Sequence, residues 1–100
     1  MRMLLKAVMD TEAANEVARK GELQLVTQQL VEQLHAEAAY FVSDGGRRSC
    51  LIVLDMTDSA QIPVISEPLF QGARAEITFS PCMNLDDLNR GLAEAAELAR

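Results

Sequence analysis

Alternating hydrophobic and polar positions predict four strands in this chain. The strands are predicted over residues 2–9, 39–43, 50–54 and 73–80, and a glycine turn at residues 44–46 joins the middle two into a hairpin. The first strand has an apolar face, formed by Met3, Leu5, Ala7 and Met9. Its other face is mixed and comprises Arg2, Leu4, Lys6 and Val8. We therefore expect a sheet that buries one face and leaves a half-charged face open.

Between the first two strands, apolar residues recur at helical spacing. The helix is predicted to begin at Asp10 or Thr11, since both residue types cap helix N-termini well. Gly21 predicts a bend or a restart, because glycine costs about 1 kcal/mol in a helix interior. Beyond the glycine an apolar stripe is expected to be buried, and it comprises Leu23, Val26, Leu30, Val31 and Leu34.

Two further helices are predicted in the second half of the chain. One begins at Asp58 or Ser59, and Pro68 is expected to kink or end it. The other begins after Asn84, which is expected to act as its N-cap. Its apolar stripe comprises Leu85, Leu88, Leu92, Ala95, Ala96 and Ala99. This stripe needs a surface, which is the sheet, the flank of the domain or another subunit.

The order of these elements predicts an α+β, ferredoxin-like fold. A β-α-β-β-α-β order gives an antiparallel sheet with helices on one face, here followed by a C-terminal helix. We expect residues 1–100 to form one domain, since a chain of this length supports one core. First and last strands are neighbours in this topology, so Lys6 and Glu76 are expected to pair across them. The fold itself leaves the function open, because it carries many unrelated activities.

Charge and hydropathy narrow the choice of partners. Fifteen acidic and nine basic residues give a net charge of -6, which repels nucleic acids and anionic lipid surfaces. No apolar run approaches the roughly 18 residues of a membrane span, and residues 1–9 lack the apolar core of a signal peptide. We expect neither a nucleic acid nor a membrane as partner, and a cytoplasmic location.

The cysteine and carboxylate spacings favour neither a metal site nor a cofactor. Cys50 and Cys82 have no CxxC relation, and the predicted topology separates them to opposite ends of the sheet, so both are expected to be free. Asp55, Asp58 and Glu67 are spaced too loosely for a calcium loop. We expect no metal and no cofactor.

The open face of the predicted sheet carries the candidate ligand-binding residues. They are Lys6, Tyr40, Arg74 and Glu76. Leu4, Val8 and Val42 lie among them, and an apolar patch of that size is rare on a monomer. Such a mixed face is expected where two sheets close around a cavity.

Several short segments resemble a family of uncharacterised bacterial proteins of about 100 residues. These segments are residues 37–41, 46–47, 55–58, 62–63, 67–68 and 81–83. The family belongs to the dimeric α/β-barrel superfamily, which includes muconolactone isomerase, antibiotic-biosynthesis monooxygenases and haem-degrading enzymes. The resemblance implies a homodimer formed through the open sheet faces.

The chain departs from the catalytic members of that superfamily. The cofactor-free monooxygenases commonly place a tryptophan near the substrate, and this chain has none. The haem-degrading members need an axial histidine, and the position of the only histidine, His35, does not match it. His35 is a candidate base because histidine titrates near neutral pH, although the C-terminal end of a helix also favours histidine for structural reasons.

Two functions are consistent with the sequence. In the first, the protein is a homodimer that binds a small organic molecule between its sheets without catalysis. In the alternative, it is a cofactor-independent enzyme, isomerase-like or monooxygenase-like, that acts on a small, partly apolar acid or lactone. Lys6 or Arg74 would then hold the carboxylate, and Glu76 or Tyr40 would move a proton. Ion pairing of Glu76 and packing of Tyr40 are the competing structural explanations.

Overall fold

A computed structural model describes residues 1–100 as four strands and four helices. The strands are β1 (Arg2–Val8), β2 (Ala38–Asp44), β3 (Arg47–Asp55) and β4 (Glu76–Pro81). The helices are α1 (Thr11–Arg19), α2 (Leu23–Gln33), α3 (Gln61–Ala73) and α4 (Leu85–Leu98). None of these helices has the length and hydropathy needed to cross a membrane.

The strands form one antiparallel sheet in the order β2-β3-β1-β4. Consecutive strands β2 and β3 form the predicted hairpin, and β1 lies between β3 and β4. This order is consistent with the ferredoxin-like plan. The predicted α+β class and antiparallel sheet are confirmed.

The core lies on the face of the sheet that alternation assigned to it. Leu5 and Ala7 of β1 and Cys50 and Ile52 of β3 have no exposed surface. Leu5 stands opposite Ile52 in the antiparallel register, and Ala7 stands opposite Cys50. Side chains from α3 close this core from above, chiefly Ile65 and Leu69. The apolar face of β1 was therefore predicted correctly.

Gly21 divides the first helical segment into α1 and α2, as its position predicted. Asp10 caps α1, and its carboxylate accepts a hydrogen bond of 3.0 Å from the backbone N–H of Ala13. Gly21 adopts a φ of 72°, which ends the first helix in a conformation that other residues rarely adopt. The first helix therefore ends before Gly21, and α2 begins at Leu23.

The apolar stripe of α2 is only partly buried, whereas burial of the whole stripe was expected. No residue of α2 is buried, and Val26 is 44% exposed. Leu30 and Leu34 touch the edge of the core from outside. The helical spacing is correct, and four of the five stripe residues are half-buried, namely Leu23, Leu30, Val31 and Leu34.

The predicted bounds of α3 and β4 were also wrong. The helix begins at Gln61 rather than Asp58 or Ser59, because the Asp58 carboxylate accepts a 2.8 Å hydrogen bond from the Ala60 N–H within the preceding turn. The helix continues through Pro68, which lies on its exposed side, where water can bond the carbonyl that loses its partner. β4 begins at Glu76, three residues later than predicted.

The C-terminal helix α4 projects from the rest of the molecule. The molecule measures 59 × 28 × 18 Å, and its radius of gyration is 16.3 Å. A compact domain of 100 residues would have a radius of gyration of about 13 Å. Every residue of the α4 apolar stripe is exposed. The stripe is therefore not covered by the sheet or by the flank of this chain, which are two of the three surfaces expected from the sequence.

Candidate functional site

The sheet face opposite the helices is uncovered and has an apolar centre. Leu4 lies opposite Val53 in the register, and Leu51 lies opposite Tyr40. Three side chains at this centre are half-buried within the single chain, namely Leu4, Leu51 and Val53. Tyr40 is 66% exposed. The placement of Tyr40 and Val42 on this face agrees with the prediction. A surface of this kind is suited to contact with another protein chain or an apolar ligand.

A cavity of about 480 Å³ lies at one end of this open face, beside the β2–β3 turn. It is lined by Lys6, Val8, Asp44, Gly45, Arg47, Glu76 and Thr78. The lining therefore contains two cations, two carboxylates and one hydroxyl. Its volume is in the range of small-molecule sites in proteins.

Two ion pairs organise the cavity. The Lys6 Nζ lies 2.6 Å from the Asp44 Oδ2, and the Arg47 Nη1 lies 3.7 Å from the Glu76 Oε1. The Arg47 Nε also donates a 3.0 Å hydrogen bond to the Met9 carbonyl, which fixes the position of the guanidinium. The hydrogen bond from Lys6 is the main cause that lowers the pKa of the Asp44 carboxyl from its ordinary value.

The predicted pairing of Lys6 with Glu76 is wrong. The register of β1 and β4 places Thr78 opposite Lys6 and Val8 opposite Glu76. The two charged side chains are therefore diagonal neighbours, and each finds a closer partner on the β2–β3 hairpin. Asp44 and Arg47 stand directly opposite each other at the ends of that hairpin, so one turn supplies both partners.

A second charged cluster lies at the opposite end of the open face. The Arg2 Nε lies 2.9 Å from the Glu37 Oε1, and the Arg2 Nη1 lies 2.5 Å from the Asp87 Oδ2. The hydrogen bond to Glu37 is the largest cause that raises the pKa of Arg2. The pKa of Asp87 is lowered, chiefly because its carboxylate accepts a hydrogen bond from the backbone N–H of Asn84. This cluster ties the first turn of α4 to the sheet.

The structure brings together only part of the predicted site. Lys6 and Glu76 line the same cavity, whereas Tyr40 lies on the same face outside it. Arg74 is not on a strand, because it ends α3 in a left-handed conformation with a φ of 46° and lines a separate groove beside α1. His35 follows α2 with a φ of 47° and is exposed.

Asp44, Arg47 and Thr78 are site residues that the sequence analysis missed. Arg47 lies outside the third strand as predicted over residues 50–54. Its place in the site depends on the length of β3, which begins at Arg47 and not at Cys50. The alternation from Arg47 through Ser49 and Leu51 was the available signal.

Both cysteine thiols lie outside this cavity. Cys50 is buried in the core, where burial raises the pKa of its thiol, and Cys82 follows β4. No three histidine, cysteine, aspartate or glutamate side chains are grouped to hold a metal ion. The cavity therefore offers ion pairing and hydrogen bonding to a ligand.

No family model, curated protein or solved structure matches this chain. Its function is therefore inferred from the geometry of the open face.

Proposed function

We propose that the protein is a homodimer that binds a small organic acid between the open faces of its two sheets, as in a dimeric α/β barrel. The observation that carries this proposal is the 480 Å³ cavity, which combines charged groups with an adjoining apolar surface that no helix covers. A second sheet laid on this face would enclose the cavity and exclude water from it. Exclusion of water strengthens the interaction between a bound carboxylate and a cation.

The amount of exposed surface supports a dimer. The chain exposes 6898 Å². A compact monomer of 11.0 kDa would expose about 5,600 Å², so the excess is roughly 1,300 Å². A standard protein interface buries about 800 Å² of each partner. An interface of that size would remove more than half of the excess surface of each chain.

The charges of the cavity indicate the class of ligand. Lys6 and Arg47 can each donate to a carboxylate, and the Thr78 hydroxyl can donate or accept one further bond. Leu51 and Tyr40 lie beyond the charged end and suit an apolar body. A small, partly apolar carboxylic acid satisfies both halves of the face.

The enzymatic alternative rests on Glu76, because the candidate base His35 is exposed after α2 and does not line the cavity. Its carboxylate lines the cavity, and its cation partner Arg47 lies at 3.7 Å, which is too long for a hydrogen bond. Tyr40, the other candidate for proton transfer, lies outside the cavity. The geometry therefore favours binding over catalysis.

Native mass spectrometry of the purified protein tests the proposal. We expect a dimer that carries a small organic molecule. The substitution Lys6→Met should abolish retention of that molecule and leave the dimer intact. The control Arg74→Gln removes the same charge outside the cavity and should leave retention unchanged.

Two other outcomes would contradict parts of the proposal, and a third would favour the enzymatic alternative. A monomer at micromolar concentration would contradict the dimer. An empty dimer would be tested by thermal shift with benzoate and hexanoate, and no stabilisation by either acid would contradict the ligand class. Turnover that disappears in a folded Glu76→Gln protein would favour the enzymatic alternative.

A further inference from the structure

The cavity at the end of the open face has a balanced charge. Lys6 and Arg47 are its cations, Asp44 and Glu76 are its carboxylates, and the rest of its lining is uncharged. A second sheet laid over this cavity would exclude water, and an unpaired charge is costly where water is excluded. A ligand with a net charge would therefore leave one charge of the closed cavity uncompensated.

The two carboxylates of the cavity differ in how well they are paired. The Lys6 Nζ lies 2.6 Å from the Asp44 Oδ2, and the hydrogen bond from Lys6 is the main cause that lowers the pKa of Asp44. The cation nearest to Glu76 is Arg47, whose Nη1 lies 3.7 Å from the Glu76 Oε1 and thus beyond hydrogen-bond distance. The Glu76 side chain is 78% exposed, so water can supply its hydrogen bonds in the single chain. Glu76 would lose that water when a second sheet covers it.

Both cations keep N–H groups that no atom of the chain accepts. The Arg47 Nε donates to the Met9 carbonyl, whereas the terminal nitrogens of the guanidinium form no hydrogen bond. The Lys6 ammonium has three N–H donors, and its salt bridge is to Asp44. A carboxylate can accept two parallel hydrogen bonds from a guanidinium. The cavity therefore holds free donors next to the poorly paired carboxylate of Glu76.

The spacing of these groups limits how far apart the charges of a ligand can be. The Arg47 Nη1 and the Glu76 Oε1 are only 3.7 Å apart, so ligand groups that bond to both side chains must also be adjacent. The carboxylate and the ammonium of an α-amino acid are attached to the same carbon, which meets this condition. A simple carboxylic acid supplies only the anion and would leave Glu76 without a donor.

We infer that the ligand is an apolar α-amino acid, whose carboxylate is bound by Arg47 and Lys6 and whose ammonium donates to Glu76. This inference rests on the homodimer and the acid site proposed above, and it adds the ammonium and its partner. The zwitterion has no net charge, so the closed cavity stays neutral. The apolar side chain of the amino acid would lie towards Leu51 and Tyr40, beyond the charged end of the face.

Calorimetric titration with matched ligands tests this inference. Dialysed protein is titrated with phenylalanine, with 3-phenylpropionate, which lacks the ammonium, and with 2-phenylethylamine, which lacks the carboxylate. We expect the Kd of phenylalanine to be at least about tenfold lower than that of 3-phenylpropionate, because only phenylalanine makes the charge-assisted hydrogen bond to Glu76. The amine alone should bind more weakly than phenylalanine. Leucine and 4-methylpentanoate form a second, smaller pair, so the size of the apolar group does not decide the result.

A substitution at Glu76 connects this preference to its predicted cause. Glu76→Gln keeps the size of the side chain and removes its charge. It should raise the Kd of phenylalanine about tenfold and leave that of 3-phenylpropionate equal or lower, so that the preference disappears. Glu94→Gln removes the same charge from the exposed side of α4 and should leave both constants unchanged. Circular dichroism checks that both variants are folded.

The possible failures are distinguishable. Acids that bind as tightly as their amino acids would overturn the ammonium contact and leave the acid site of the proposed function intact. A folded Glu76→Gln protein that keeps the full preference for phenylalanine would also overturn this inference, because another group would then hold the ammonium. A dimer that binds neither the acids nor the amino acids would overturn both this inference and the ligand class of the proposed function.

Discussion

Two serines, Ser49 and Ser66, are the buried polar residues of this chain. Ser66 of α3 is 2% exposed, and its hydroxyl is the one buried side-chain polar atom without a hydrogen-bond partner. Ser49 is the other buried polar residue, and its hydroxyl donates a 3.1 Å hydrogen bond to the Arg47 carbonyl. The two serines thus have similar burial and different hydrogen bonding.

We expect Ser66→Ala to raise the free energy of unfolding by about 1 kcal/mol. Removing a buried hydroxyl that has no partner releases its desolvation cost. Ser49→Ala removes a satisfied hydroxyl and should lower the free energy of unfolding or leave it unchanged. Urea denaturation of both variants measures the difference. Equal destabilisation by the two substitutions would contradict the assignment of Ser66 as unpaired.

Asp44 should titrate differently when Lys6 is removed. The hydrogen bond from Lys6 lowers the pKa of the folded-state carboxyl, so the ionised form favours the folded chain. This contribution to the free energy of unfolding is fully present above the unfolded-state pKa, near 3.8. It is lost as the pH falls through the lower folded-state pKa. In Lys6→Met the carboxyl should titrate at higher pH, which NMR of the side-chain carbonyl measures. An unchanged Asp44 titration would show that the ion pair does not form in solution.

Gly21 and Gly72 differ in backbone conformation, although neither is crowded by other atoms. Gly21 separates α1 from α2 with a φ of 72°, whereas Gly72 lies inside α3. A Cβ added at either position would meet no atom within 4 Å. The separation of α1 from α2 therefore coincides with one left-handed residue.

We expect alanine at these two positions to have opposite effects. Gly21→Ala should lower the free energy of unfolding by about 1 kcal/mol, since alanine is strained in the left-handed region. Gly72→Ala should raise it by up to about 1 kcal/mol, since alanine is the better helix former. Thermal denaturation of the pair checks both signs. A gain in stability for Gly21→Ala would mean that α1 and α2 join into one helix.

The whole molecule is unusually extended for its length. Its exposed apolar surface is distributed over the open face, the groove between the α1–α2 junction and β2, and α4. Burial of any one of them alone would leave the others in water.

Substitution at the centre of the open face should separate the two chains of the proposed homodimer. Leu51→Glu places a charge in the middle of the proposed interface and should shift the protein to monomer at micromolar concentration. Val64→Glu makes a comparable change on the exposed side of α3, outside the open face, and should remain dimeric. Light scattering after size exclusion distinguishes the two masses. A Leu51→Glu dimer would contradict burial of this face between two copies.

Local patterns determined a large part of the fold. The alternation in β1, the break at Gly21, the hairpin turn and the Asn84 cap were all predicted, because each depends on residues within a few positions of one another. The burial of Leu5 and Ala7 followed from the same alternation. Pro68 inside α3 and the start of β4 at Glu76 were missed, since local rules do not show that water can satisfy the freed carbonyl or that Ala75 closes a helix end.

Only the tertiary structure decided the partners of the charged residues and the exposure of the helices. Lys6 and Glu76 were predicted as site residues from their face, but the register between strands set them on a diagonal and gave each a partner from the β2–β3 turn. Helical spacing gave the stripes of α2 and α4, but not whether a surface lies against them. Alternation and capping act between near neighbours in the chain, so the sequence by itself determines them. Register, ion pairing and helix packing join residues far apart in the chain, and they are decided only when the whole molecule is assembled.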